Sequence, residues 1–185
     1  MSSVTKYPST VGQFEDEGGD TEWLNPDYIK ADDANWCTNN LAENQKSYVL
    51  EASHFDFAIP TDATINGIQV DLLRLEALDR DTISDISATL LKAGVSTGSS
   101  YPFLNYKNLD YWGSDPDRNK IQYGSASDKW GTTWTPAQIN ADDFGFQIYV
   151  QTVADSSAFA QINYIKITVY STTPGGGQVI MVRES

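Results

Sequence analysis

The sequence predicts an all-β fold: an antiparallel β-sandwich, jelly-roll-like, with a long N-terminal arm and a short C-terminal extension. Three observations predict it. Apolar residues recur at every second position in several runs, turn-forming Gly, Pro, Asn and Asp separate those runs, and a single short stretch carries a helix start. Period two sends alternate side chains to opposite faces of a sheet, so each run offers one face to a core and the other to water. The chain has 185 residues, 40% of them hydrophobic and 20% charged, which places it in the ordinary globular range. A domain of this size buries roughly 70% of its unfolded surface.

Residues 1 to 45 mix Ser, Thr, Asn, Asp and Gly with Tyr7, Phe14, Trp23, Tyr28 and Trp36. Aromatics are scarce in disordered segments, so this part reads as an arm packed on the domain, with turns at Asn25-Pro26 and Asp32-Asp33. The sandwich domain is expected over residues 46 to 172. In Ala52 to Ile59, Phe55 and Phe57 alternate with His54, Asp56 and Ala58, and Pro60 closes the strand. From Ile65 to Leu78, Ile68, Val70 and Leu72 keep period two before the apolar phase jumps to Leu73 and Leu75. A β-bulge, or a strand covered on both faces, accounts for the jump. Asn66-Gly67 suggests a positive φ at a tight turn or bulge.

Ile86, Ala88 and Leu90 alternate next, up to Gly94. Between Ser96 and Gly131 lies a long polar stretch rich in aromatics, either an elaborate loop or one or two strands without clean periodicity. Thr135-Pro136-Ala137-Gln138 holds the helix signal: Thr as N-cap, Pro at the first helical position and Gln three residues after the cap. A single turn is expected there, with Trp130 and Trp134 closing the end of the sandwich between Gly131 and Gly145. Phe146, Ile148 and Val150, then Ile165, Ile167 and Val169, give the clearest half-buried strands.

Three stretches together resemble a β-sandwich module of structural proteins in tailed bacteriophages and prophages. The first is Trp23-Leu24-Asn25-Pro26 with Ala31-Asp32-Asp33. The second runs from Phe55-Asp56-Phe57-Ala58-Ile59-Pro60 through Ala63-Thr64-Ile65-Asn66-Gly67-Ile68-Gln69-Val70. The third joins Ser127-Asp128-Lys129-Trp130-Gly131, Thr133-Trp134-Thr135-Pro136, Phe144-Gly145-Phe146 and Ile165-Lys166-Ile167-Thr168-Val169-Tyr170. The resemblance covers about residues 23 to 172, and residues 101 to 120 depart from it. It implies a virion protein, either a capsid decoration or head-surface protein, or a tail or baseplate appendage.

Composition narrows the chemistry. A net charge of −13, from 25 acidic and 12 basic residues, disfavours a phosphate-binding surface, so no nucleic-acid partner is expected. No run of eighteen apolar residues and no signal-peptide pattern occurs, so no membrane partner is expected either. Cys37 is the sole cysteine and reads as a small buried apolar residue. His54 is the sole histidine, which removes the usual proton carrier from most catalytic schemes. The acidic groups, such as Asp79 with Asp81 and Asp115 with Asp117, single out no catalytic pair and complete no calcium loop. The expectation is therefore no enzyme, no cofactor and no metal.

Two surfaces are candidates for binding. Tyr101, Tyr106, Tyr111 and Trp112 lie in the least periodic stretch, where exposed rings could stack on a host glycan or meet another protein. Residues 173 to 185 form an extension after a Gly175-Gly176-Gly177 hinge, in which Val179, Ile180, Met181 and Val182 make a β-prone segment suited to adding to a neighbouring subunit's sheet. A homo-oligomer is expected, a trimer first, with major capsid or other virion proteins as further partners and the virion as location.

Overall fold

In the computed structural model, residues 1–15, 18–77, 82–101, 112, 120–152 and 157–174 are described. They build two antiparallel five-stranded sheets packed face to face. The first contains β1 (Ser2–Lys6), β10 (Ala158–Thr172), β5 (Thr64–Glu76) and β8 (Lys120–Gly124) in that order. β3 (Cys37–Leu41) pairs with the early half of β10 and β1 with its late half, so both lie along the side of β10 away from β5. The second sheet has the order β2 (Thr10–Phe14), β4 (Val49–Ser53), β9 (Gly145–Thr152), β6 (Ile83–Lys92), β7 (Val95–Thr97). The chain crosses between the sheets at nearly every step, the jelly-roll habit, and this distributes sequence neighbours over two layers.

The residues read as an N-terminal arm are woven into both layers: β1 borders the first sheet and β2 the second. Five-residue strands with one core-facing valine each, Val4 and Val11, are too short to show a period, which is why the sequence suggests a packed arm instead. The Asn25-Pro26 step opens a 3-10 turn, Pro26–Lys30, with Asn25 in the left-handed region at φ 54°. Residues 96 to 131 contribute the end of β7 and all of β8. β6 and β7 are joined through Ala93 and Gly94, at φ 52° and 70°, the paired positive angles a two-residue hairpin needs.

Strands β9 and β10 match their expected alternation. Phe146, Ile148 and Val150, and Ile165, Ile167 and Val169, are all sealed between the sheets. Elsewhere three phases differ from expectation. β4 ends at Ser53, and His54 and Asp56 adopt left-handed φ of 54° and 52°, so Phe55 and Phe57 reach the core from an irregular segment rather than a strand. In β6 a register shift between Asp85 and Ser87 leaves Ile86 only half-buried. In β5 the inward phase does not jump: Ile68, Val70 and Leu72 are followed inward by Arg74 and Glu76, while Leu73 takes the outer face. The bulge lies across the ladder in β10, where Ile162 faces Arg74 and Tyr164 faces Leu73, which leaves Asn163 unpaired. Asn163 uses that freedom to donate from Nδ2 to the carbonyls of Asp33 and Asn35 at 2.6 and 2.7 Å.

A second shift at Asn66 coincides with the Asn66-Gly67 step, but Gly67 has no positive φ. Its reason is space, since a Cβ there would come within 2.3 Å of the Ala126 carbonyl carbon. The end of the sandwich is closed as expected by Trp130 and Trp134, both buried, with Phe144 packed against Trp134 and Phe55 and Phe57 against Phe144. The helical turn α1 (Pro136–Ile139) carries the full capping box of Thr135 and Gln138. Asn140 follows and clamps Ile59 through both backbone groups, accepting from its N–H at 2.9 Å and donating to its C=O at 2.8 Å.

Candidate functional site

The interior holds an ionic cluster that no sequence motif announces. Arg74 from β5 and Asp85 from β6 form a salt bridge across the two sheets, both fully buried. Tyr123 from β8 donates its hydroxyl proton to Asp85 and accepts from Arg74 Nη1 at 3.0 Å. Trp112 Nε1 donates to the other Asp85 oxygen at 2.9 Å, and the guanidinium lies 5.1 Å from the Trp112 ring centre. Glu76, also sealed, accepts from the Thr82 N–H and hydroxyl at 2.8 and 3.0 Å. Burial pushes the Tyr123 phenol well above its ordinary range; Arg74 opposes the shift and Asp85 reinforces it. Each charge has a partner, the condition under which ionic groups tolerate a low-dielectric interior.

This geometry corrects one expectation. Trp112, a candidate for an exposed glycan or partner surface, is sealed in the core and ties its N–H to Asp85, so it offers no face to a ligand. Tyr101 is partly buried: its ring meets Trp130 edge-on at 4.7 Å, and its hydroxyl donates to Asp128 at 2.5 Å. Its phenol is pushed up to about 12 by burial, by that bond and by the Asp128 charge. Tyr106 and Tyr111 lie outside the described residues, as do Val179, Ile180, Met181 and Val182. Cys37 is buried without a disulfide and burial pushes its thiol far up, away from reactivity. His54 Nε2 lies 3.1 Å from Asp56 and 3.5 Å from Asp142 on a half-exposed loop. Among the described residues no group of three or more His, Cys, Asp or Glu is placed to hold a metal, and no helix is long and apolar enough to cross a membrane.

The outer faces of the two sheets carry rows of half-buried polar side chains. On the first sheet several outward polar groups bond one another, while Gln161 of β10 and Thr38 of β3, paired with each other, make no side-chain hydrogen bond among the described residues. Tyr170 donates to Gln69 at 3.1 Å, Gln69 donates to Asp71 at 2.8 Å, and Thr5 and Thr168 share a 2.8 Å bond. Tyr7 packs edge-on against Tyr164, over whose ring Lys166 also lies.

On the second sheet the outward residues of β9 are Gln147, Tyr149 and Gln151, all half-buried. Register places Gly12 of β2, Glu51 of β4, Gln147 of β9 and Thr89 of β6 in one row across four strands. Its flanks are internally bonded: Ser96 donates to Thr89 at 3.0 Å, and Ser87 and Ser100 share a 3.0 Å bond. At the centre, Glu51, Gln147 and Gln151 make no side-chain hydrogen bond among the described residues. Burial raises the Glu51 carboxyl above its ordinary range. The same period-two rule that finds β9 marks these outward positions, but their row partners depend on which strands become neighbours.

No family model matches the chain, and no curated protein does. Among solved structures, one described as "CBM4 structure and function" is similar at 11% identity, covering 89% of this chain and 92% of that one with a TM-score of 0.36. A family 29 carbohydrate binding module from Piromyces equi is similar at 11% identity, with 91% of each chain covered and a TM-score of 0.33. Neither likeness bears on what this chain binds.

Proposed function

We propose that this chain is a non-catalytic surface protein of a tailed phage particle, a capsid decoration or head-surface protein in preference to a tail or baseplate appendage. It works by packing against copies of itself and against other virion proteins. The observation that carries the reading is the fate of the interior ionisable groups. Arg74 and Asp85 join strands of the two sheets, and Glu76 fastens Thr82 at the entry to β6, all three sealed from solvent. Groups tuned for turnover stand in a cleft with access to a reactant; these serve cohesion.

The motif resemblance supports the same reading, and its residues have mechanical roles in the fold. Trp23 donates to the Tyr48 carbonyl, Phe55 and Phe57 pack the closed end, and Trp130 donates to the Ile68 carbonyl. A net charge of −13 fits protein and solvent contacts better than nucleic acid. The test is localisation in intact particles by cryo-electron microscopy, with light scattering on the purified chain. Ordered density at symmetry-related surface sites, together with a cyclic oligomer, supports the proposal. A soluble monomer absent from particles overturns it.

A further inference from the structure

We propose that the outer face of the second sheet, centred on Glu51, Gln147 and Gln151, binds an uncharged, hydroxyl-rich oligosaccharide laid across the strands. The first argument is the state of the polar side chains at the centre of this face. The hydroxyls flanking the row are bonded to one another. Glu51, Gln147 and Gln151 make no side-chain hydrogen bond among the described residues while half-withdrawn from water, which leaves their donors and acceptors available to a ligand.

The second argument is Gly12, which ends the row opposite Glu51. Glycine inside a strand weakens it and marks a bulge, a forced backbone angle, a tight contact or the close approach of a ligand. The β2–β4 register is unbroken, Gly12 is not among the positive-φ glycines, and a Cβ at this position would meet nothing within 4 Å. The three structural reasons fail, and close approach remains. The missing side chain keeps the row open where it runs off the sheet edge past β2.

The chemistry of the row selects the occupant. An apolar partner would strand the two amides and the carboxylate. An anionic one would meet Glu51 and a chain of charge −13. A neutral sugar supplies hydroxyls that both donate to Glu51 and exchange bonds with the glutamine amides, while its C–H faces suit the ring of Phe14, which is exposed two positions along β2 from Gly12. Four strands at the usual spacing give a track about 14 Å long, the scale of a short oligosaccharide.

The experiment is a glycan array with the full chain, followed by calorimetric titration of the neutral oligosaccharides that bind. Gln147→Ala should weaken binding by about tenfold, the loss of bonds left unpaired in a site. Gly12→Val should abolish binding of the longer oligosaccharides only, and neither variant should melt below the parent because neither position is buried in the core. No neutral glycan bound at millimolar concentration overturns the inference. So does retention of affinity in Gln147→Ala, or an array response confined to charged glycans. A dimer of the parent that dissociates in Gln147→Ala also overturns it and assigns the face to a second copy of the chain. None of these outcomes depends on where the chain sits in a particle, so this inference and the proposed virion role fail separately.

Discussion

Asp85 serves three neighbours at once, taking Arg74 and Tyr123 on one oxygen and Trp112 on the other. Removing it leaves a guanidinium buried without its counter-charge, so Asp85→Ala should lower stability by about 3–5 kcal/mol. Replacing Arg74 and Asp85 together by apolar residues of similar volume should cost much less, and chemical denaturation of the single and double variants measures the difference. Two phenols give a second signal. Tyr123 and Tyr101 both titrate above their ordinary range in the fold, so each contributes stability that is complete below pH about 10 and is lost above it as the unfolded chain ionises first. Melting temperature should therefore fall from pH 10 upward. An absorbance titration should show a phenol near pH 12 that disappears in Tyr101→Phe and moves down in Asp128→Asn.

Strands differ in what their glycines do. Gly67 in β5 faces the backbone of Ala126, where an added methyl carbon would lie only 2.3 Å from the carbonyl carbon, whereas Gly12 in β2 has open space. Gly67→Ala should thus destabilise by about 1–3 kcal/mol or more through overpacking. Gly12→Ala should be neutral or stabilise by about 0.5–1 kcal/mol, by restricting the unfolded chain and favouring the strand. Paired thermal melts would separate a glycine required by packing from one that packing does not require. In β10 the sealed Ile167 belongs to the most regular inward run, and Ile167→Ala should cost about 2–5 kcal/mol in transfer and cavity energy. A smaller loss would mean that the neighbouring strands close over the gap.

At the scale of the molecule, the two ends of the chain have opposite standing. β1 and β2 border the two sheets, and Val4 and Val11 pack against the core. Deleting residues 1–14 should lower the melting temperature sharply or prevent folding, because it strips hydrogen-bonded partners from β10 and β4 at once. β10 closes at Thr172 with its final pairs to β5 already made. Deleting residues 175–185 should accordingly leave the melting temperature of the sandwich nearly unchanged. Differential scanning calorimetry of both truncations tests the pair of expectations.

The alternation in Phe146–Val150 and Ile165–Val169, the breakers between runs and the capping box at Thr135 were enough to define an antiparallel sandwich, its closing tryptophans and the helical turn at Pro136–Ile139. Those features are local: a period of two or a cap is complete within a few residues. The arm's membership of both sheets, the inward turn of Arg74 and Glu76, the burial of Trp112 and the row from Gly12 to Thr89 were decided only in the tertiary structure. An arginine reads as surface until an aspartate from another strand neutralises it, and a glutamine in β9 becomes part of a row only when β4 and β6 lie beside it. Periodicity reports which face a side chain takes when burial is apolar. It carries no information about partners supplied by distant strands, and those partners determine which polar groups are satisfied within the fold and which are left for a ligand.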